Sequence, residues 1–176
     1  MKNLPYLLPL ISERTPTAIV VFGSGHNNLA GELATACGAP VTIYDPAIPE
    51  FSSKPESAFD LLVTVNLLSC VSEKELEPII ADMAAFARNA IIVIDTGSAV
   101  LNRTDGRETP ATQHDQDWWA ARLGQHFPYL EPFRLHRNRG IAFKTWRSDE
   151  SRALPNFIIR MKAVARGYWQ RISGPR

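Results

Sequence analysis

The sequence predicts an α/β fold: a mostly parallel β-sheet covered by helices and finished by a C-terminal antiparallel strand pair. Three observations predict it. Short runs rich in Val and Ile recur at Ala18–Phe22, Pro40–Tyr44, Phe59–Val65 and Ala90–Ile94. Stretches with helical spacing separate most of them, so consecutive strands must be joined by crossovers and run parallel. Two late strand-like segments, near Pro132–His136 and Gly140–Trp146, sit close enough to pair across Arg137–Arg139.

Taken in order, the chain opens with an apolar stretch in residues 1–16 that contains Pro5 and Pro9 and has no small-residue cleavage site. It reads as an arm or short helix packed on the domain. Pro16 and Gly23 bound the first strand. After Gly23-Ser24-Gly25-His26-Asn27-Asn28, an Ala-rich helix spans Leu29–Cys37 and stops at Gly38. The second strand closes on Asp45-Pro46, and residues 47–57 form a loop. Asn66–Val71 is the turn after the third strand. Ser72 with Glu75 three residues later forms a capping box, and the helix it starts runs to about Asn89. A polar stretch fills Thr96–Gln113. A helix then spans Asp115 to His126, and a last one runs from about Pro155 to Arg171 with Phe157, Ile158, Met161, Val164, Ala165, Tyr168 and Trp169 at helical spacing.

At 176 residues, with 45% hydrophobic and 21% charged content, the chain has the size and composition of one globular domain. Its longest apolar runs are strand-sized, too short to span a bilayer. Cys37 and Cys70 form neither a C-x-x-C motif nor a disulfide framework, which places the chain in a reducing, cytoplasmic setting. The net charge of +1 is uneven. Residues 147–176 carry seven basic and two acidic residues, and residues 1–146 carry twelve and sixteen. A basic tail on an acidic body suits a nucleic-acid or protein partner, or simply a solvated helix face.

A glycine loop after the first strand lets a ligand approach the backbone, and the following helix directs N–H groups toward it. Tight strand-to-helix turns use glycine as well. Asp45 stands twenty residues beyond Gly25, at the end of the second strand, where a carboxylate accepts hydrogen bonds from ribose hydroxyls. It is also suited to start the turn before Pro46. Together they point to an adenosine-containing ligand. A nicotinamide dinucleotide fits less well, because Asn28 stands where G-x-G-x-x-G needs its third glycine. His26, His114, His126 and His136 lack metal-ligand spacing, so no metal is expected.

Three segments carry a family resemblance. Val41–Phe51 resembles the second-strand region of bacterial and phage-associated class I methyltransferases, which use S-adenosylmethionine. Phe59–Glu73, FDLLVTVNLLSCVSE, is similar to their FDLVVCTDVLEHIPE segment. Asp105-Gly106-Arg107, Thr112-Gln113-His114 and Trp118-Trp119 resemble their DGRNAHxTQ…WW stretch. The resemblance covers residues 18–128 in consistent order. It implies a Rossmann-like sheet, S-adenosylmethionine as cofactor and an unidentified methyl acceptor. Gly23, Ser24 and Gly25 would line the methionyl end, Asp45 would hold the ribose, and Asn66 with Leu67 would lie beside the cofactor. Arg107, Gln113, His114 and Trp118 would face the acceptor, although the two tryptophans also suit a core.

The sequence departs from that pattern at several points. Val21 stands where an acid is usual in the first strand, and Asn27 replaces a glycine. The DVLEH segment is Asn66-Leu67-Leu68-Ser69-Cys70, which loses an acid that could counter a cationic sulfonium. These departures keep open an inactive methyltransferase-fold protein that binds a partner through Arg160, Lys162, Arg166 and Arg171 of the last helix.

Overall fold

A computed structural model describes residues 4–25, 28–96, 112–135 and 140–148. His26, Asn27, Arg107, the Arg137–Arg139 turn and the basic C-terminal helix expected at 155–171 lie outside them. The strands are β1 (Ile19–Phe22), β2 (Val41–Tyr44), β3 (Phe59–Val65), β4 (Ala87–Ile94), β5 (Glu131–Pro132) and β6 (Ile141–Lys144). The helices are α1 (Leu4–Arg14), α2 (Leu29–Cys37), α3 (Glu73–Phe86) and α4 (Gln116–Leu123).

The strands form a single sheet in the order β2-β1-β3-β4-β6-β5. The first four are parallel, β6 runs antiparallel to β4, and β5 pairs antiparallel with β6 through Glu131–Lys144 and Pro132–Phe143. The predicted α/β sheet with its terminal antiparallel pair is therefore present.

Strand alternation splits the core into two layers. Ile19, Val21, Leu61, Val63, Ile91 and Val93 face α1 and α2. Val20, Phe22, Leu62, Ala90, Ile92 and Ile94 face α3 and α4. The strands are apolar on both faces because helices cover both, as parallel sheets require. Leu4, Leu7, Leu8 and Ile11 of α1 are buried in the first layer even though Pro9 lies within the helix.

Helix ends follow local chemistry. Gly38 caps α2 in the left-handed conformation, φ 66°, and its N–H donates to the Ala34 carbonyl at 3.1 Å. At the start of α3, the Ser72 N–H and Oγ donate to Glu75 Oε2 at 3.0 and 2.6 Å.

One boundary needs correcting. α3 ends at Phe86, not near Asn89, and β4 begins at Ala87. The alanine-rich run Ala84–Ala87 favours helix, but β3 offers a partner from its first residue, and pairing Phe59 with Ala87 and Leu61 with Asn89 outweighs local propensity. The Asn89 side-chain amide also donates to the Asp60 carbonyl at 3.1 Å.

Candidate functional site

The chain leaves β1 toward β2 on one side and reaches β3 on the other, so the strand order reverses at β1. In open α/β sheets the crevice at the carboxyl ends of the strands flanking such a switch is where ligands bind. Four strands deliver their next residues to this edge: Gly23 after β1, Asp45 after β2, Asn66 after β3 and Asp95 after β4.

Beneath the crevice, the last residues of β1 and β2 are locked together. Phe22 and Tyr44 face each other in register. Their rings meet edge-on at 5.0 Å, and Phe86 of α3 meets Tyr44 edge-on at 5.1 Å. Edge-to-face pairs of this kind add stability beyond burial, so the loops above them rise from a rigid floor.

Gly23 and Gly25 both adopt positive φ, 69° and 56°, a region that side chains with a Cβ rarely enter. The Gly23 N–H extends the ladder to the Tyr44 carbonyl at 2.8 Å. Ser24 between them is buried, and its hydroxyl donates to the Gly25 carbonyl at 3.2 Å.

Asp45 is 5% exposed and ties the two loops together. Its Oδ2 accepts the Gly25 N–H at 2.9 Å, and its Oδ1 accepts the Ala47 N–H at 3.0 Å. A carboxylate offers about four acceptor positions, so each oxygen keeps a lone pair for a further donor such as a ribose hydroxyl. Asp45 thus holds the glycine loop in place and is still able to accept hydrogen bonds from a ligand.

Asn66 is in the left-handed region at φ 64°, which asparagine tolerates better than most residues. Its N–H donates to the Val93 carbonyl at 2.8 Å, and its carbonyl accepts from Ser69 Oγ at 3.1 Å. The turn directs Leu67 across the crevice onto Gly23, where a Cβ would lie 2.5 Å from Leu67 Cδ2.

The segment before α4 docks on the same loop. The Thr112 N–H donates to the Ser69 carbonyl at 3.3 Å, and its hydroxyl donates to the Val71 carbonyl at 2.7 Å. His114 Nε2 lies 2.7 Å from Glu73 Oε1 in the first turn of α3. The His114 ring stacks on Trp118 at 3.7 Å and 13°. Asp115 caps α4 by accepting the Trp118 N–H at 2.8 Å. Arg122 covers the Trp118 ring at 5.2 Å, a cation–π contact.

The structure therefore brings Gly23, Ser24, Gly25, Asp45, Asn66 and Leu67 to one edge of the sheet, with His114 and Trp118 beside the loop after β3. Gln113 is exposed, and Trp119 is a core residue with no exposure. Among the described residues, the Thr64 hydroxyl and the Trp119 indole nitrogen are buried without a hydrogen-bond partner, both in the α3–α4 layer.

Sequence reasoning passed over three participants. Thr112 pins the acceptor-side segment, and its burial is invisible in a polar stretch. Asp95 ends a buried strand just as Asp45 does, which was a readable signal. The contact of Leu67 with Gly23 joins residues forty-four positions apart and left no local signature.

No protein-family model matches the chain, and no curated protein sequence matches it. Solved structures do. An O-methyltransferase family protein from Burkholderia thailandensis aligns with TM-score 0.57 and 13% identity over 83% of this chain and 56% of that one. The present chain thus spans little more than half of that protein's length. Magnesium protoporphyrin IX methyltransferase from Synechocystis, solved with bound S-adenosylhomocysteine, aligns with TM-score 0.52 and 14% identity over 80% of this chain and 81% of that one. The DhpI–S-adenosylhomocysteine complex aligns with TM-score 0.56 and 15% identity over 83% of both chains. Strand order, the antiparallel finish and these similarities together show that the chain has the Rossmann-like fold of the class I methyltransferases.

Proposed function

We propose that this chain is an S-adenosylmethionine-dependent methyltransferase whose acceptor is unidentified. The observation that carries the reading is the placement of Asp45 and Gly25 at the reversal of strand order. A buried carboxylate with spare acceptor capacity there adjoins a loop that exposes backbone to a ligand. The residues fit the adenosine half of the cofactor: Asp45 would accept from the ribose, and the Gly25 backbone would lie against the nucleoside. At Gly23 the fit requires the Leu67 side chain to turn away.

When bound, the cofactor supplies an activated methyl group on a sulfonium. This chain's part is then to position the acceptor and exclude water, and neither requires an acid or base. The loop after β3, braced by Thr112 and flanked by the His114–Trp118 stack, is placed to shape the acceptor side. Arg107 and Gln113 belong to the same proposed side through the sequence resemblance alone.

Calorimetric titration with S-adenosylhomocysteine tests the reading. Saturable binding that disappears in Asp45→Asn, with the variant's fold intact by circular dichroism, supports it. No binding at millimolar ligand contradicts it.

The altered DVLEH segment and the Leu67–Gly23 contact favour a second reading, a methyltransferase fold retained as a binding module. Its partner would be a protein or nucleic acid drawn to the basic tail. Replacing Arg160, Lys162, Arg166 and Arg171 with alanine would then abolish capture of that partner, and unchanged capture would rule the module out.

A further inference from the structure

The two ends of the glycine loop differ in what covers them. Nothing lies within 4 Å of the place a Cβ would take on Gly25, the glycine bonded to Asp45. On Gly23 that place is only 2.5 Å from Leu67 Cδ2, 2.7 Å from Cδ1 and 2.8 Å from Cγ. The isobutyl group of Leu67 rests on the Gly23 backbone, so the loop is open toward β2 and covered toward β3.

The backbone beneath Leu67 is fixed on both sides. The Asn66 N–H is bonded to Val93, and the Leu67 carbonyl accepts the Cys70 N–H at 2.9 Å. Uncovering Gly23 therefore requires rotation of a half-buried leucine side chain between staggered positions, with the loop itself unchanged.

Strand order sets what would meet it. A ribose whose 2′ and 3′ hydroxyls face Asp45 after β2 carries its 5′ substituent on the opposite edge of the ring. That substituent leads away from β2, over Gly23 after β1, toward Leu67 after β3. A short thioether ends before Leu67, whereas an amino-acid arm runs into it.

We propose that Leu67 determines which 5′ substituent the site accepts, favouring adenosine-type nucleosides with a short 5′ group and opposing the amino-acid arm of S-adenosylmethionine until its side chain rotates. This inference rests on the adenosine reading of the site given above.

Two probes separate the cases: 5′-methylthioadenosine, which lacks the arm, and S-adenosylhomocysteine, which has it. Dissociation constants would be measured by calorimetry for the wild type, Leu67→Ala and Leu67→Met. The wild type should bind methylthioadenosine at least as tightly as S-adenosylhomocysteine. Leu67→Ala should tighten S-adenosylhomocysteine by about tenfold and leave methylthioadenosine within about twofold, the scale expected when a pocket gains room for a few heavy atoms. Leu67→Met keeps the volume but adds flexibility, so it should give a smaller gain for the same probe, and it serves if the alanine variant does not fold. Equal changes for both probes, or no gain for S-adenosylhomocysteine in a folded variant, overturn the role of Leu67 while the adenosine reading stands. If neither probe binds any of the three proteins, the adenosine reading fails and the inference fails with it.

Discussion

β1 has an aspartate at each end, and the two are used differently. At its entry, Asp60 Oδ2 takes all three available donors, the Thr17 N–H at 2.8 Å, the Thr17 hydroxyl at 2.6 Å and the Ala18 N–H at 3.2 Å. At its exit, Asp45 gives one oxygen to Gly25 and the other to Ala47. Asp60 is exposed, whereas Asp45 is buried. Concentrating donors on one oxygen fastens a strand end and offers nothing directed to a ligand. Dividing them between two oxygens fastens a loop and leaves both oxygens able to accept again.

The contrast extends along both edges of the sheet. Toward the entry end, Lys144 is nearly fully buried, and its ammonium lies 3.0 Å from Glu131 Oε1 and 3.3 Å from Glu13 Oε2. Trp146 Nε1 also donates to Glu13 Oε2 at 2.9 Å, and the Tyr129 hydroxyl to Glu131 Oε2 at 2.8 Å. Ser148 completes the cluster as a hydrogen-bond partner of Lys144. Burial would push the Glu131 carboxyl up, but its bonds to Lys144 and Tyr129 outweigh that and hold it below the usual carboxylate range. The entry end is a closed network, and the exit end carries the two strained loops.

Breaking that network should have the largest effect on stability. Lys144→Ala leaves two carboxylates facing each other over a buried gap and should cost about 2–4 kcal/mol in urea unfolding at pH 7, less than a fully buried pair because both glutamates keep some exposure. The loss should shrink as pH falls. Glu131 has a lowered pKa in the folded state, so its contribution is present above the unfolded value of about 4.5 and is lost as pH drops through the folded one. S-adenosylhomocysteine affinity should be unchanged.

Asp45→Ala comes next, with about 1–3 kcal/mol lost because the Gly25 and Ala47 N–H groups lose their acceptor. Here ligand binding should vanish as well, which separates the two ends of the sheet.

Asp60→Asn should cost less, about 1 kcal/mol at neutral pH, since its bonds are exposed and the asparagine oxygen can still accept. The Thr17 hydroxyl, then the Thr17 and Ala18 N–H groups, hold the Asp60 carboxyl below the usual range against a small opposing effect of burial. The stability it gives is present above its ordinary value of 3.8 and is lost as pH falls through the lowered one. The gap between wild type and Asp60→Asn in urea midpoints should therefore close in acid.

Much of this fold was legible because the signals were local. Gly38 after Cys37 and Ser72 before Glu75 each fix a helix end within a few residues. The β4 boundary was missed because Ala84–Ala87 reads as helix until β3 is present to pair with it. At the candidate site, Gly23, Gly25 and Asp45 were readable from their places after strands. Their mutual bonds were not, because which carboxylate oxygen meets which amide depends on how the two loops pack. Leu67 read as an ordinary apolar turn residue, and only the adjacency of β1 and β3 places it on Gly23.

The smallest expected effect is chemical. Burial pushes the Cys37 thiol up to about 11, so it should resist alkylation at pH 8 in the folded protein and react once urea is added. Rapid labelling of Cys37 in the native state would show that the end of α2 is more open than described.

The most direct test of the contrast is calorimetric titration of S-adenosylhomocysteine into the wild type, Asp60→Asn and Asp45→Asn under one buffer condition. Equal affinity in the first two with no binding in the third is the predicted result, because only the exit aspartate reserves acceptors for a ligand. Retained affinity in a folded Asp45→Asn, or equal losses in the two variants, would contradict it.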